Sequence, residues 1–321
     1  MENLPNNQSP SLMRRILLAF GKAILFTILC ILFTILLSLP IGELIPNEQA
    51  AALASGDMAD SPAWILNLTY LVVIIGTMAA LFIVRKLISK QSLVSAGLAT
   101  DKGVREFGEG WLLGMVLVTV GYVLLVISGM AASTGFNFQP ATLIGWFVLF
   151  LLQPFAEELL FRGYLMSLLA RYFNIKVAVL ISALVFALVH ASNDGFSTMG
   201  FITISIAGLL FGLLFLKTGQ LWLATGMHAA WNFMQGVAYG FPTSGIRTYS
   251  LTNTTTSGPD WLSGGAFGFE GSILAILLLI AAIWWYRNSL REEKLTDMIE
   301  RSFRTVPTTT IDQKILDDNF E

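Results

Sequence analysis

Long apolar stretches alternate along this chain with short polar or turn-rich segments. A helix rises about 1.5 Å per residue, so about 20 apolar residues match the hydrocarbon thickness of a bilayer. Eight such stretches are predicted to span a membrane, at residues 16–39, 64–84, 110–130, 142–169, 177–193, 197–216, 221–240 and 270–286. The connections at 40–62, 131–140 and 240–268 are polar or rich in turn residues. The fold class this pattern predicts is all-α: a polytopic membrane protein, a bundle of about eight transmembrane helices.

Composition points the same way. Of 321 residues, 55% are hydrophobic and only 12% charged, and mean hydropathy is +0.70. A soluble domain carries about a quarter charged residues, so a soluble enzyme is excluded. A net charge of −2 gives no basic field for a nucleic-acid partner. The single cysteine, Cys30, lies in the first apolar run, has no internal disulfide partner, and reads as a packing residue. That run follows Arg14 and Arg15, is too long for a signal-peptide core, and is expected to be retained as the first span.

Charge orients the bundle. Arg14 and Arg15 precede the first span, and Arg85, Lys86, Lys90, Lys102 and Arg105 sit between the second and third. Arg171 and Lys176 follow the fourth span, Lys217 the sixth, and Arg287, Arg291 and Lys294 the eighth. The alternate connections hold one basic residue, Arg247, and the first of them carries Glu43, Glu48, Asp57 and Asp60. Lys and Arg accumulate on the cytoplasmic side. Eight spans therefore put every connection on its expected side, with both termini cytoplasmic in a multi-pass cell-membrane protein; seven would break the alternation.

The organisation predicted is a cytoplasmic segment 1–13, membrane helices over 14–139, a chemistry-bearing core at 140–240, an extracytoplasmic loop 241–268, a last helix 269–287 and a cytoplasmic tail 288–321. In the tail, Leu290, Leu295, Met298, Ile299 and Phe303 fit either one face of a membrane-surface helix or a solvated segment.

Ionisable side chains at membrane depth are costly and mark function. The fourth span holds Glu157, Glu158 and Arg162, the fifth ends with His190, and the seventh holds His228; the chain has no other histidine. Counted from the nearest basic residue at one end of the bundle, Glu157 and His190 each lie roughly 21 Å in, and His228 roughly 16 Å. Glu158 and Arg162 are spaced for an intrahelical ion pair, which turns Glu157 away and leaves it free to react. Pro154, before them, is placed to kink the helix and admit water. His228 and Asn232 share one helix face, and Phe186, one turn before His190, is placed to wall the site and fix the ring. Each feature alone has a plain structural reading: helix pairing for Glu158 and Arg162, packing for a histidine, interhelical hydrogen bonding for Asn232. Gly208 and Gly212 are read as close-packing residues. Two acids, both histidines and the amide at matched depth point instead to one site.

At these positions the chain resembles the CAAX-processing and bacteriocin-processing (CPBP, or ABI-domain) intramembrane proteases. Glu157-Glu158-Leu-Leu-Phe-Arg162 fits their E-E-x-x-x-R motif, Phe186-Ala-Leu-Val-His190 their F-x-x-x-H motif, and His228-Ala-Ala-Trp-Asn232 their H-x-x-x-N/D motif. The three occur in order within about residues 140–240. The resemblance implies an intramembrane endopeptidase with a cavity open to the cytoplasm, acting on a peptide or membrane-protein segment in the lipid bilayer. Two mechanisms stay open. In one, Glu157, His190 and His228 hold a zinc ion with a free fourth position for water. In the other, Glu157, assisted by His190, deprotonates water while His228 and Asn232 donate to the oxyanion. Glu158, Arg162 and Phe186 are support in both. From other classes, a proton-coupled transporter and a non-catalytic scaffold or immunity protein compete. A transporter would favour inverted repeats, and no such repeat is evident.

Overall fold

The computed structural model of the protein describes residues 11–43, 45–46 and 62–289. Glu48, Asp57 and Asp60, the segment 1–10, and the tail positions Leu290, Leu295, Met298, Ile299 and Phe303 lie outside the described residues.

Among the described residues, helices of differing length stand at the predicted stretches. They are α1 (Leu12–Gly42), α2 (Ala63–Ile88), α3 (Gly103–Ile127), α4 (Pro140–Tyr172), α5 (Ile175–Leu188), α6 (Thr198–Thr218), α7 (Trp222–Phe233, continued by a π-helical turn Met234–Ala238) and α8 (Ile273–Ser289). Of these, α1, α2, α3, α4 and α6 are long and apolar enough to cross a membrane, whereas α5 and α8 are apolar but shorter. The protein is an all-α polytopic membrane protein. Leu17, Ile24, Ile28, Ile31 and Ile35 stand exposed along α1, an apolar surface that water would not tolerate and lipid covers.

One feature departs from a purely helical reading. The connections after α3 and α7 pair as a two-stranded antiparallel ribbon, β1 (Ala131–Thr134) with β2 (Asn253–Thr256). Its Thr-rich sequence suits a pleated surface. The ribbon fixes these two connections at one end of the bundle. At the other end, Arg15 Nε donates to the Tyr172 carbonyl (2.6 Å), Lys22 Nζ to Ser89 Oγ (2.9 Å), and Gln220 Nε2 to Asp101 Oδ1 (3.0 Å).

The closest helix contact joins α3 to α7 through glycine. A Cβ on Gly110 would lie 2.1 Å from the Leu223 carbonyl oxygen, and one on Gly226 would lie 2.1 Å from that of Phe107. Lipid provides no hydrophobic drive between helices, so small residues that let backbones meet do much of this work. Gly208 packs as expected, its missing Cβ 2.9 Å from Ala183 Cα, and Gly212 faces Val179 at 3.1 Å. These contacts set α5, α6 and α7, with their chemistry, at fixed spacings.

Gly226→Ala is expected to force α3 and α7 apart and to destabilise the protein by about 1–3 kcal/mol, the usual range for overpacking. A lower thermal unfolding midpoint in detergent would register this. Gly21→Ala, where nothing lies within 4 Å of the added Cβ, should leave the midpoint in place.

Candidate active site

Helix α4 carries the polar side chains of Gln153, Glu157, Glu158 and Arg162 into the bundle. Directly after Glu158 the helix widens into a π-helical stretch, Leu159–Met166, a distortion that favours functional sites. Pro154 lies within the helix just before these residues.

The predicted ion pair is present and wholly buried. Arg162 Nη1 donates to Glu158 Oε1 at 3.0 Å, and neither side chain is exposed. The same Oε1 lies 3.0 Å from His228 Nδ1. A carboxylate held by arginine accepts, so Nδ1 carries a proton and Nε2 is turned the other way. Glu158 therefore orients His228 as well as pairing with Arg162, a role its spacing to Arg162 did not reveal. Arg162 Nη2 also donates to the Gly208 carbonyl at 3.0 Å. Its guanidinium lies over the rings of Phe186 (4.6 Å) and Phe211 (5.1 Å), and Phe211 stacks on His228 with centroids 4.7 Å apart. Cation–π contact with two rings offsets part of the cost of burying the arginine.

Glu157 points elsewhere. Its Oε1 accepts from Gln153 Nε2, while Gln153 Oε1 accepts from Asn232 Nδ2 at 3.0 Å. Glu157 Oε2 is buried without a hydrogen-bond partner and faces His228 Nε2 at 3.7 Å. Gln153 escaped the sequence reading, although it sits one turn before Glu157, at the spacing that puts two side chains on one face.

His190 stands beyond the end of α5, where the prediction had it closing the span. In a continuing helix the Phe186 carbonyl would accept the His190 backbone N–H. Here it accepts from the imidazole Nδ1 at 2.8 Å, and the backbone N–H turns to Ala187 instead (3.2 Å). A proton thus sits on Nδ1. Phe186 fixes the ring as expected, edge to face at 4.9 Å. No hydrogen bond joins His190 to Glu157.

These groups line one cavity of about 440 Å³. Glu157, His190, His228 and Asn232 share it with Gln153 and Phe186, and Leu66, Tyr70, Trp146 and Phe150 make its apolar wall. One carboxylate in the wall was missed altogether. Glu270, in a turn just before α8, is buried and accepts from Trp231 Nε1 (3.0 Å), Gln235 Nε2 (3.3 Å), Ser244 N (2.7 Å) and Ser244 Oγ (2.8 Å). It pins the loop that brings Thr243, Ser244, Ile246 and Thr248 over the cavity. A single acid opening an apolar run was the available signal, hidden because 270 was taken as the edge of a span.

For zinc the donor set does not fit. Among the described residues no group of three or more His, Cys, Asp or Glu side chains is arranged to hold a metal ion, whereas a catalytic zinc takes three protein ligands.

Fold and site thus define a polytopic membrane protein with a carboxylate–imidazole centre at the wall of an internal cavity. Residues 139–234 match the model of the type II CAAX prenyl endopeptidase Rce1-like family, and this segment of the chain belongs to that family. Among curated proteins the chain is similar to UPF0177 protein YxdF of Lactococcus lactis subsp. lactis (strain IL1403), 37% identical over 99 residues, which cover 27% of this chain and 52% of that protein. The chain thus spans about half the length of this relative. No solved structure matches.

Arg162→Leu strands the buried Glu158 carboxylate, and removing one partner of such a pair costs about 3–5 kcal/mol. A marked loss of thermal stability in detergent is expected. Arg105→Ala, which breaks the exposed pair with Glu109, should leave stability nearly unchanged.

Proposed function

We propose that the protein is an intramembrane endopeptidase that hydrolyses peptide bonds with a water activated by Glu157. The observation that carries this reading is the state of the Glu157 carboxylate. One oxygen is anchored by Gln153, and the other is unpaired and faces His228 Nε2 at 3.7 Å. A water held between the two groups donates to the carboxylate and contacts the imidazole, so it is polarised where it attacks. Asn232 spends one amide N–H on Gln153, and its second N–H serves the carbonyl oxygen as negative charge develops there. Glu157 takes the proton of that water and returns it to the leaving amine, and His190, lining the same cavity, assists the transfer through water. Glu158, Arg162 and Phe186 are positioning residues.

The core is residues 140–240, in a bundle that crosses the membrane eight times with both termini in the cytoplasm. The alternation of basic connections supports this topology. The substrate is a peptide or a membrane-protein segment, in keeping with the endopeptidase family that residues 139–234 match. Neither a transporter nor a scaffold is favoured by a specific feature of the site.

With purified protein and a pool of fluorogenic and prenylated peptides, Glu157→Gln is expected to lower kcat by about 10²–10⁴-fold, the range of general-base catalysis, and to keep the thermal midpoint. Cleavage by the unaltered chain should persist with a zinc chelator. A folded Glu157→Gln that still cleaves would sink the assignment.

Gln153→Ala removes one anchor of Glu157 and one of Asn232. About a tenfold loss is expected, the equivalent of one hydrogen bond near 1.4 kcal/mol, and it should fall on kcat more than on KM.

A further inference from the structure

The cavity is not placed evenly along the bundle. Leu66 and Tyr70 come from the start of α2, Trp146 and Phe150 from the first half of α4, and Ile204 from the start of α6. His190 and Asn193 follow the end of α5, and Ser244 and Thr248 follow α7. All of these lie toward the end that carries the β1–β2 ribbon. The half of the bundle toward Arg15, Lys22 and Arg171 is filled instead. Leu159, Met166, Phe215 and Leu221 pack there with almost no exposure, and the buried Arg85 closes on the Gly163 carbonyl at 2.8 Å. Side chains at native packing density leave no path for a polypeptide.

A second hollow meets the cavity at this ribbon end. A groove of about 720 Å³ shares Trp146 and Thr248 with it and is lined by Asn67, Asn137, Gln139, Thr142, Tyr249 and Asn253. No charged side chain occurs among its described lining residues. Asn67 Nδ2 donates to the Gly145 carbonyl at 3.0 Å, and its Oδ1 has no partner. Neutral amides and hydroxyls supply both donors and acceptors, the complement of an extended peptide backbone.

We infer that the substrate polypeptide reaches Glu157 from the extracytoplasmic side, laying an uncharged extended stretch in this groove and its apolar side chains in the cavity. The sidedness follows from the basic residues, which gather at the filled end, and basic residues face the cytoplasm. This reverses the cytoplasmic opening that the family resemblance implies. It selects as substrate class polypeptides exposed outside the cytoplasm over tails carried by cytoplasmic proteins. The nature of what enters rests on the endopeptidase reading; the side of the opening does not.

The full chain with Cys30→Ala would carry one new cysteine at a time: Ser250→Cys in the groove, Thr255→Cys on the ribbon, or Thr100→Cys at the filled end. A membrane-impermeant maleimide added to intact cells is expected to label the first two, and Thr100→Cys only after permeabilisation. The reverse pattern overturns the inference whatever the enzyme does. In sealed vesicles, cleavage of an impermeant peptide should be confined to the right-side-out preparation and lost in Glu157→Ala. Cleavage confined to inside-out vesicles also overturns it. A chain that labels as expected but cleaves nothing, in vesicles or detergent, overturns the endopeptidase reading while the extracytoplasmic opening stands.

Discussion

The arrangement depends on one buried charge, the carboxylate of Glu158. Taking a carboxylate and a guanidinium out of water costs several kcal/mol per ion unless geometry and further hydrogen bonds compensate. Glu158 answers part of that demand by serving two partners with one oxygen, Arg162 on its own helix and His228 on α7, while its other oxygen is buried without a partner. Arg162 in turn reaches the α6 backbone at Gly208 and lies against rings from α5 and α6. Four helices are thus locked around a single ion pair. The consequence for chemistry is directional: His228 is held with Nε2 toward Glu157, one residue before the carboxylate that holds it.

Glu157 is tied more loosely. It has one hydrogen bond, from Gln153, and retains about a fifth of its side-chain exposure, against none for Glu158. Two adjacent acids therefore have opposite physical states, one neutralised in the packing and one turned to a cavity. Helical geometry makes this division, because neighbouring residues point about 100° apart. The π-helical stretch begins immediately after them.

The hollow and filled halves of the bundle have separate causes. On one side, apolar side chains of α1, α2, α4 and α6 interdigitate. On the other, large rings such as Trp146, Phe150 and Trp231 frame the space, and the loop after α7 covers it, pinned by Glu270. A carboxylate accepting four hydrogen bonds is a firm anchor for a segment that otherwise contains many glycines and threonines.

The sequence by itself determined the helices, since lipid admits only backbone that satisfies its own hydrogen bonds and apolar length marks each span. It also determined the ionisable residues of the site, because charges among apolar runs stand out, and the Glu158–Arg162 pair, because both belong to one helix at fixed spacing. Only the tertiary structure decided which imidazole nitrogen meets which carboxylate, since that depends on the rotation of α4 against α7 through the α3 glycines. It alone brought Gln153 and Glu270 to the site and paired the ribbon strands, contacts between residues far apart in the chain. The termination of α5 before His190 was likewise settled by competition between a side chain and the backbone for one carbonyl. Periodicity fixes what each helix offers; the packing of helices against one another fixes what it touches.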